Sequence, residues 1–261
     1  MTKALLSCML MVSFYASAQL GFSHELGVIA GPVPFQSDYG LRYDFETNKG
    51  NLGFGGGIVH YLNFSYQSDC DCYTTYTFFN DHFKIRNELS YMTIDLNHFG
   101  ELAEKNSPGG EFLRSVSGRT KLLNIGAQLE FFPLSIRDFE NGGFAISPFG
   151  SIGVMYTNYT PEANGYEEAR AILAAADPDN NLLAKYGPDA INVESGGVFS
   201  LTGSVGARYK FSAISDVLLE ARWQYFLSND IDGLNPNPDL YPENRANDWL
   251  FFLTIGYIFY L

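Results

Sequence analysis

The sequence predicts an all-β fold, an eight-stranded antiparallel transmembrane β-barrel whose lumen is filled by side chains. Three observations indicate it: eight long segments alternate apolar and polar residues, long connections alternate with shorter ones, and the last segment ends on aromatic residues. A transmembrane strand needs about 9–11 residues, roughly twice the length of an ordinary soluble strand. A soluble β-sandwich explains the alternation but not the three features together.

Composition excludes several other classes of protein. Hydrophobic residues make up 46% of the 261-residue chain, yet no apolar run reaches the length of a membrane-spanning helix. The 22 Phe, 17 Tyr and 2 Trp residues are too many for a disordered chain. The 29 acidic residues outnumber the 16 basic ones and give a formal net charge of -13, which disfavours nucleic acid as a partner.

The N-terminal segment has the pattern of a secretory signal peptide. Lys3 precedes an apolar stretch over 4–15, and Ala16, Ser17 and Ala18 supply the small residues of a cleavage site. The apolar stretch is too short to cross a bilayer as a helix. We therefore expect residues 1–18 to be cleaved and residues 19–261 to form one outer-membrane β-barrel domain.

Period-two alternation predicts the eight strands. In the seventh, Leu219 and Ala221 share one face while Glu220 and Arg222 share the other. In the third, the apolar parity switches after Ser90, and we expect a β-bulge there. The predicted strands span residues 22–31, 52–66, 82–97, 119–133, 144–159, 198–211, 216–228 and 248–261.

The connections predict the orientation of the barrel. Outer-membrane barrels have long outer loops and short periplasmic turns. If the N-terminus lies in the periplasm, the odd-numbered connections, counted along the chain, are long outer loops. The even-numbered connections are then the shorter periplasmic turns. We therefore expect a barrel in the cell outer membrane, surrounded by its lipids, with both termini periplasmic. In chain order the connections span 32–51, 67–81, 98–118, 134–143, 160–197, 212–215 and 229–247.

The third and fourth outer loops have distinctive sequences. The third is rich in acidic residues, and its segment 165–176 is predicted to be a short helix with Ile172 and Leu173 on one side, ended by Asp177-Pro178. In the fourth, 230–235 resembles half of a calcium loop but lacks the distal bidentate Glu. We expect solvated acidic loops, with a calcium site as the open alternative.

The inward faces of the strands predict a charge network in the lumen. Eight strands enclose only enough room for side chains. Buried charges must be paired, or each costs several kcal/mol, so the near balance of acids and bases predicts a mutually compensated plug without an open pore. A proton or ion path is the alternative. The predicted network consists of Glu25, Lys84, Arg86, Glu88, Glu130, Arg208, Lys210, Glu220 and Arg222, linked by Asn124, Gln128 and Gln224.

Catalytic motifs are not found in the sequence. The histidines at 24, 60, 82 and 98 do not stand beside a Ser and an acid, and neither a Gly-x-Ser-x-Gly nor a His-Glu-x-x-His motif occurs. The glycine-rich run at 53–57 lies inside a predicted strand, where it cannot cradle a nucleotide. We therefore expect a protein that is not an enzyme and has neither a catalytic nor a metal site nor a cofactor.

The first periplasmic turn, 67–81, is long for its class and carries cysteines and aromatic residues. Cys70 and Cys72 are predicted to form a local disulfide staple in an oxidising compartment; a redox or metal role lacks further ligands nearby. Exposed aromatic residues concentrated in one segment indicate a contact with a partner protein. The alternative is that they cap the mouth of the barrel. These residues are Tyr73, Tyr76, Phe78 and Phe79.

Several segments resemble known small barrels. Residues 23–31 (SHELGVIAG) resemble the start of PorG-type barrels of Bacteroidota, which are outer-membrane components of the type IX secretion system. A stronger resemblance, over nearly the whole mature chain, is to an uncharacterised flavobacterial outer-membrane β-barrel family. It rests on residues 35–40, 44–48, 60–66, 70–73 and 132–139.

The resemblance implies an accessory barrel in an outer-membrane machine. Our first hypothesis is a non-enzymatic scaffold subunit of a protein secretion or barrel-assembly complex, whose partners are other outer-membrane or periplasmic proteins. The second is a stand-alone surface barrel whose acidic outer loops bind a ligand, a cation or another cell. A lipid-modifying enzyme is the third, and the missing catalytic motifs count against it.

Overall fold

The computed structural model describes residues 23–41, 44–64, 77–237, 239–241, 244 and 247–261. In this part of the chain, eight antiparallel strands pair with their sequence neighbours, and the last pairs with the first to close a barrel. The predicted fold class is therefore confirmed. The strands are β1 (Ser23–Gln36), β2 (Leu52–Asn63), β3 (Phe83–Asn97), β4 (Ser117–Phe131), β5 (Ile146–Asn164), β6 (Gly196–Ser212), β7 (Ser215–Phe226) and β8 (Trp249–Tyr260).

The two ends of the barrel differ in their connections. At one end, which we call the loop end, residues 37–51, 98–116, 165–195 and 227–248 join the strands. The opposite, turn end carries the connections 64–82, 132–145 and 213–214, and β1 begins and β8 finishes there. The predicted alternation of long and shorter connections is present, although 64–82 matches the second loop-end connection in length.

Short helices occupy five of the seven connections in the described part of the chain. The predicted helix in the third loop-end connection is present, and Leu173 is buried as expected, but Ile172 is 54% exposed because neighbouring helical positions point about 100° apart. None of the helices in the described ranges is long and apolar enough to cross a membrane. The helices are α1 (Phe45–Asn48), α2 (Phe78–His82), α3 (Glu101–Glu104), α4 (Pro108–Ser115), α5 (Ile136–Glu140), α6 (Tyr166–Ala176) and α7 (Asn181–Lys185).

Two strands differ from their predicted form. β1 continues past residue 31 to Gln36, and its pairing with β8 is interrupted between Ala30 and Phe35, where Pro32 and Pro34 have no N–H to donate. The bulge expected in β3 after Ser90 is absent, because the β3–β4 register runs without a shift. The parity switch in the sequence has another cause: the inner face of β3 changes from charged to apolar at this height.

The outer wall of the barrel is apolar. Outward residues in the middle of the strands are exposed aliphatic side chains, including Val28, Ile58, Ile125, Ile152, Val205 and Ile255. Aromatic residues lie nearer the two ends of the strands. A closed barrel with an apolar band between aromatic girdles is the form in which a β-sheet crosses an outer membrane, because its backbone hydrogen bonds leave no edge in the lipid. The chain is an integral outer-membrane β-barrel.

Inward glycines let neighbouring strands lie close together. A Cβ on Gly126 of β4 would lie 2.3 Å from the Val154 carbonyl oxygen, and one on Gly53 of β2 would lie 2.1 Å from the Thr93 carbonyl oxygen. Both distances are far below any real contact, so a larger residue at either position would push the strands apart. These glycines permit the strong coiling that a small barrel requires.

Replacing Ile152 with Arg tests the assignment of the lipid-facing wall. Ile152 is 71% exposed midway along the outer face of β5. A charge at the centre of the bilayer is expected to lower the free energy of unfolding by about 2–4 kcal/mol, measured by denaturant titration in phospholipid vesicles. Val193→Arg, in an exposed part of the third loop-end connection, is the control and should change stability little. Equal losses for the two variants would contradict the assignment.

Candidate functional site in the lumen and at the two ends of the barrel

Arg86 is the centre of the charge network in the lumen. Its Nη2 lies 2.6 Å from Glu88, and its Nη1 lies 2.9 Å from Glu220 and 3.2 Å from Glu130. The Arg222 Nη1 lies 2.7 Å from the same Glu88 oxygen. All five side chains are buried, so each carboxylate meets a guanidinium instead of water.

A second group of charges lies beside the first. Both oxygens of Glu25 are engaged, one by Lys84 and the other by Arg208 at 2.6 Å. Arg208 also reaches Glu130 at 3.4 Å, which joins the two groups into one network. Lys210, the last predicted member, lies 3.7 Å from Asp216.

The structure adds two acids that the prediction missed. Asp216 lies 3.8 Å from Arg208 and accepts a hydrogen bond from the Tyr260 hydroxyl. It shares the inward parity of Glu220, so the alternation of β7 could have revealed it. Glu140 lies 3.1 Å from Lys84, but it belongs to α5, which folds back into the mouth of the barrel. Strand alternation alone cannot find such a residue.

Aromatic rings cover the guanidinium groups. The Arg208 guanidinium carbon lies 4.1 Å from the centre of the Tyr61 ring, and that of Arg222 lies 4.9 Å from the centre of the Phe252 ring. The face of an aromatic ring attracts a cation, so these rings stabilise the guanidinium groups without a further carboxylate.

The polar residues expected to link the charges form their own layer instead. Gln224 Nε2 donates to Asn124 and Ser200 at 3.1 and 2.9 Å, and Thr157 donates to the same Asn124 oxygen. Gln128 accepts from Ser151. The prediction that Asn124, Gln128 and Gln224 connect the ion pairs was therefore wrong. Their hydrogen bonds run to one another and to hydroxyl-bearing neighbours instead.

Apolar side chains fill the lumen towards the loop end. The rings of Phe35 and Phe226 lie 6.3 Å apart between their centres, and both side chains are buried. Other buried members are Val33, Met92, Ile94, Leu96, Leu122 and Leu250. Within the described residues, ions, hydrogen-bonded amides and hydrocarbon succeed one another along the barrel axis, and the lumen is filled by side chains.

The loop-end connections pack together into a cap. Backbone hydrogen bonds from Asn192 to Gly233 and from Asn235 to Ala190 join the third connection to the fourth. The rings of Phe112 and Tyr166 lie 6.0 Å apart and join the second to the third. The cap therefore has a hydrophobic core of its own, and its shape is fixed by contacts between loops.

A small cavity of about 70 Å³ remains inside the cap. Its lining includes Phe112, Tyr166, Tyr186 and His98. Burial lowers the pKa of His98 to about 4, and the imidazole Nδ1 lies 2.9 Å from the Tyr39 carbonyl oxygen. His98 is thus neutral near pH 7 and holds the first two loop-end connections together. The cavity has room for a few water molecules.

Buried carboxyl groups meet under the cap. Asp232 accepts hydrogen bonds from the backbone N–H groups of Asp38 and Leu234 at 3.0 and 2.9 Å, and burial raises its pKa to about 6. Asp248 is 1% exposed, and its carboxylate oxygens make no hydrogen bond of ordinary geometry. Burial, followed by the nearby carboxyls of Asp232 and Asp38, raises the pKa of Asp248 well above its usual range.

The turn end carries an exposed aromatic cluster. Phe78 and Phe79 of α2 are 63% and 46% exposed. Phe79 stacks on Phe83 with ring centres 4.8 Å apart, and Phe78 lies 6.4 Å from Phe131, so the cluster continues the outward aromatic face of β3 and β4. The other predicted contact residues, Tyr73 and Tyr76, and the predicted disulfide cysteines, Cys70 and Cys72, lie outside the described residues.

The histidines lie in three places in the described part of the chain: at the turn end, on the outer wall and in the cap. His82 Nδ1 lies 2.6 Å from the Phe132 carbonyl oxygen, while His24 and His60 face outward on β1 and β2. Among the described residues, no group of three or more His, Cys, Asp or Glu side chains is arranged to hold a metal ion.

Comparison with known proteins finds similar folds and little similarity in sequence. No family model matches the chain, and no curated protein matches it. A major outer membrane protein from Thermus thermophilus aligns over 92% of this chain and 99% of its own at 11% identity, with a TM-score of 0.48. Neisserial surface protein A aligns over 92% and 96% at 12% identity, with a TM-score of 0.42. The attachment invasion locus protein Ail of Yersinia pestis aligns over 92% and 100% at 12% identity, with a TM-score of 0.40.

A double-mutant cycle tests the energetics of the lumen network. Arg222→Met leaves a buried carboxylate of Glu88 with one cation, and we expect a loss of about 3–5 kcal/mol in the free energy of unfolding. Glu88→Met/Arg222→Met should cost less than the two single variants together, with a coupling energy of at least about 1 kcal/mol. Denaturant titration of the folded barrel measures both. Strict additivity would show that the pair is not coupled, and Asp95→Asn, in an exposed ion pair with Arg119, is the control without a measurable effect.

The buried acids make the stability of the cap depend on pH. Their raised pKa values mean that the folded cap holds protons more tightly than the unfolded chain, in which Asp titrates near about 3.9. The stabilisation is therefore complete at low pH and is lost as the pH rises through about 6. We expect hydrogen exchange in residues 227–237, corrected for its intrinsic rate, to show stronger protection at pH 5 than at pH 8.

Asp248→Asn should increase this protection at pH 8 and change it little at pH 4, because the amide carries no charge. Asp239→Asn, exposed in the same connection, is the matched control and should leave the profile unchanged. Protection that rises with pH in the wild type would contradict the arrangement of carboxyl groups described above.

Proposed function

We propose that the protein is a non-enzymatic scaffold barrel that acts as a subunit of an outer-membrane protein complex. The observation that carries the proposal is the lumen, filled along its length by paired charges, hydrogen-bonded amides and apolar side chains. A barrel filled in this way is suited to work through its surfaces. Its wall, cap and turn end then provide the contacts with lipids and proteins.

The aromatic cluster at the turn end supports a partner contact there. Phe78 and Phe79 expose large apolar area next to the outward-facing Phe83 and Phe131. Aromatic side chains concentrated at one place are the usual centres of binding energy in protein interfaces. A protein that docks on them would sit at the face of the membrane where β1 begins and β8 finishes.

We assign the turn end, with both chain termini, to the periplasm. The support is the general form of outer-membrane barrels, in which the elaborate connections face outside. The packed cap on the loop end of this barrel fits that form. On this assignment the aromatic cluster meets periplasmic proteins or the periplasmic faces of other barrels.

The kind of complex is proposed from the sequence resemblance. The segments that resemble the flavobacterial barrel family, and more distantly PorG-type barrels of Bacteroidota, favour a machine for protein secretion or barrel assembly. Within such a machine, a barrel without a channel would position its neighbours and leave transport to them.

A second candidate is a surface barrel that binds through its cap. The cap exposes Glu167, Glu168 and Glu194, while α3 and α4 expose Glu101 and Glu111. Because the loops are held by a packed core, these acids form a surface of fixed shape that attracts a basic ligand, a cation or another cell. This role does not require a partner in the membrane.

Affinity purification tests the first proposal and separates it from the second. The chromosomally tagged protein is extracted in a gentle detergent, and copurifying proteins are quantified by mass spectrometry. We expect secretion or assembly proteins at comparable abundance. We expect Phe78→Ser/Phe79→Ser to reduce their recovery at least about tenfold, because Ser removes most of the apolar contact area.

Ile172→Ser/Leu240→Ser provides the matched control at the loop end, where both residues are more than half exposed. This variant should leave the recovery of the copurifying secretion or assembly proteins unchanged. A wild-type protein that is recovered alone would refute the subunit proposal and favour the acidic cap as the binding surface.

A further inference from the structure

Residues from all four loop-end connections line the cavity of about 70 Å³ inside the cap, which we call the cap cavity. The ring centre of Phe112 lies 6.0 Å from that of Tyr166 and 6.4 Å from that of Tyr186, so the three rings form one aromatic wall. Among the described residues, aliphatic side chains and three polar side chains complete the lining. They are Leu113, Val116, Ala190, Ile191 and Leu234, with Asp38, His98 and Asn244.

The polar side chains of the cap cavity present hydrogen-bond acceptors. His98 Nδ1 lies 2.9 Å from the Tyr39 carbonyl oxygen, which can only accept, so Nδ1 carries the proton. Burial lowers the pKa of His98 to about 4, and Nε2 of the neutral ring is therefore an acceptor near pH 7. Asn244 Nδ2 donates to the Asn235 carbonyl oxygen at 3.2 Å, which leaves Oδ1 as the second acceptor. Asp38 adds a carboxylate as the third.

The charges next to the cap cavity favour a cation. Asp232 accepts hydrogen bonds from the backbone N–H groups of Asp38 and Leu234, both of which line the cavity. Burial, together with the carboxyls of Asp232 and Asp38, raises the pKa of Asp248. In the described part of the chain, three carboxyl groups therefore give this region a negative potential, which attracts a positive ligand and repels a negative one.

The volume of the cap cavity sets the size of its ligand. One water-sized group occupies about 10–15 Å³ in this measure, so 70 Å³ accommodates about five non-hydrogen atoms. A primary alkylammonium ion of this size has three N–H donors for the three acceptors and an apolar chain for the aromatic wall. The faces of the aromatic rings add attraction to its positive charge.

From these observations, we propose that the cap cavity binds a small, free primary alkylammonium ion, with its ammonium group on the three acceptors and its alkyl chain against the aromatic wall. Because the lining residues come from all four loop-end connections, the bound ion holds these connections in one arrangement. The site is independent of the turn-end contact described above, since no residue of α2 takes part in it.

Isothermal titration calorimetry of the purified barrel in detergent, near neutral pH, tests the proposal with n-butylammonium as the probe. We expect saturable binding with a Kd between about 10 μM and 1 mM, the range open to a ligand of about five non-hydrogen atoms. Tetramethylammonium keeps the charge but has no N–H group, and n-butanol keeps the shape but has no charge. Each should bind at least about tenfold more weakly, because a charge-assisted hydrogen bond is lost.

Two substitutions change the cap cavity in different ways. Asp38→Asn removes the carboxylate and should weaken the binding of n-butylammonium at least about tenfold. Asp239→Asn, which removes an exposed carboxylate from the fourth loop-end connection, is the matched control and should leave the affinity unchanged. Ala190→Leu retains all three acceptors but fills much of the space, and it should abolish binding.

Heat-modifiable migration on gels and hydrogen exchange in residues 227–237 show whether each variant keeps the folded barrel and the cap. The proposal is overturned if n-butylammonium gives no saturable heat, or if tetramethylammonium or n-butanol binds as tightly. It is also overturned if Ala190→Leu, with the cap intact, binds like the wild type. Equal binding of Nα-acetyl-lysine methylamide, which carries the same ammonium group on a larger body, would contradict a free ion as the ligand and indicate a lysine side chain of another protein.

Discussion

Backbone hydrogen bonds must all be satisfied within the sheet where lipid surrounds the strands, and this constraint governs the architecture of the barrel. Closure of β1 against β8 meets it and fixes the number of strands at eight in the described chain. Eight strands enclose only the volume of their own inward side chains. The inward side chains must therefore fill the lumen among themselves. A filled lumen leaves the wall, the cap and the turn end as the surfaces available for function.

Different kinds of side chain fill the lumen at different positions along the barrel axis. Near the turn end, Arg86 and Arg208 each engage more than one carboxylate, so the charges form one connected network. Towards the loop end, hydrogen-bonded amide side chains come next, and apolar side chains fill the rest of the lumen. A buried ion pair contributes little net stability compared with an apolar pair, but removal of one partner is strongly unfavourable. The network therefore ties the strands to one register at modest net gain.

Strand alternation was sufficient to predict the barrel because each strand has one lipid-facing side and one lumen-facing side, and the two differ in polarity over most of its length. The prediction failed where that contrast inverts or where a residue reaches the site from outside the strands. On β3, Met92 and Ile94 face inward in the apolar layer while Thr93 and Asp95 face outward, so the polarity of the two faces is exchanged and the sequence mimics a bulge. Glu140 enters the lumen from a turn, and the carboxyl groups of Asp38, Asp232 and Asp248 meet through loop packing. Contacts of this kind depend on tertiary structure and leave no periodic signal.

The compensated lumen and the exposed ends of the barrel differ in what a partner can offer them. Every acid of the lumen network has a cation from the same chain, so the interior needs nothing from outside. Phe78 and Phe79, by contrast, expose apolar area at the turn end beyond the strands. A contact with another protein would remove that area from water, whereas the lumen gains nothing from a partner. The exposed ends of the barrel are thus the places where the energetics of the single chain favour a contact.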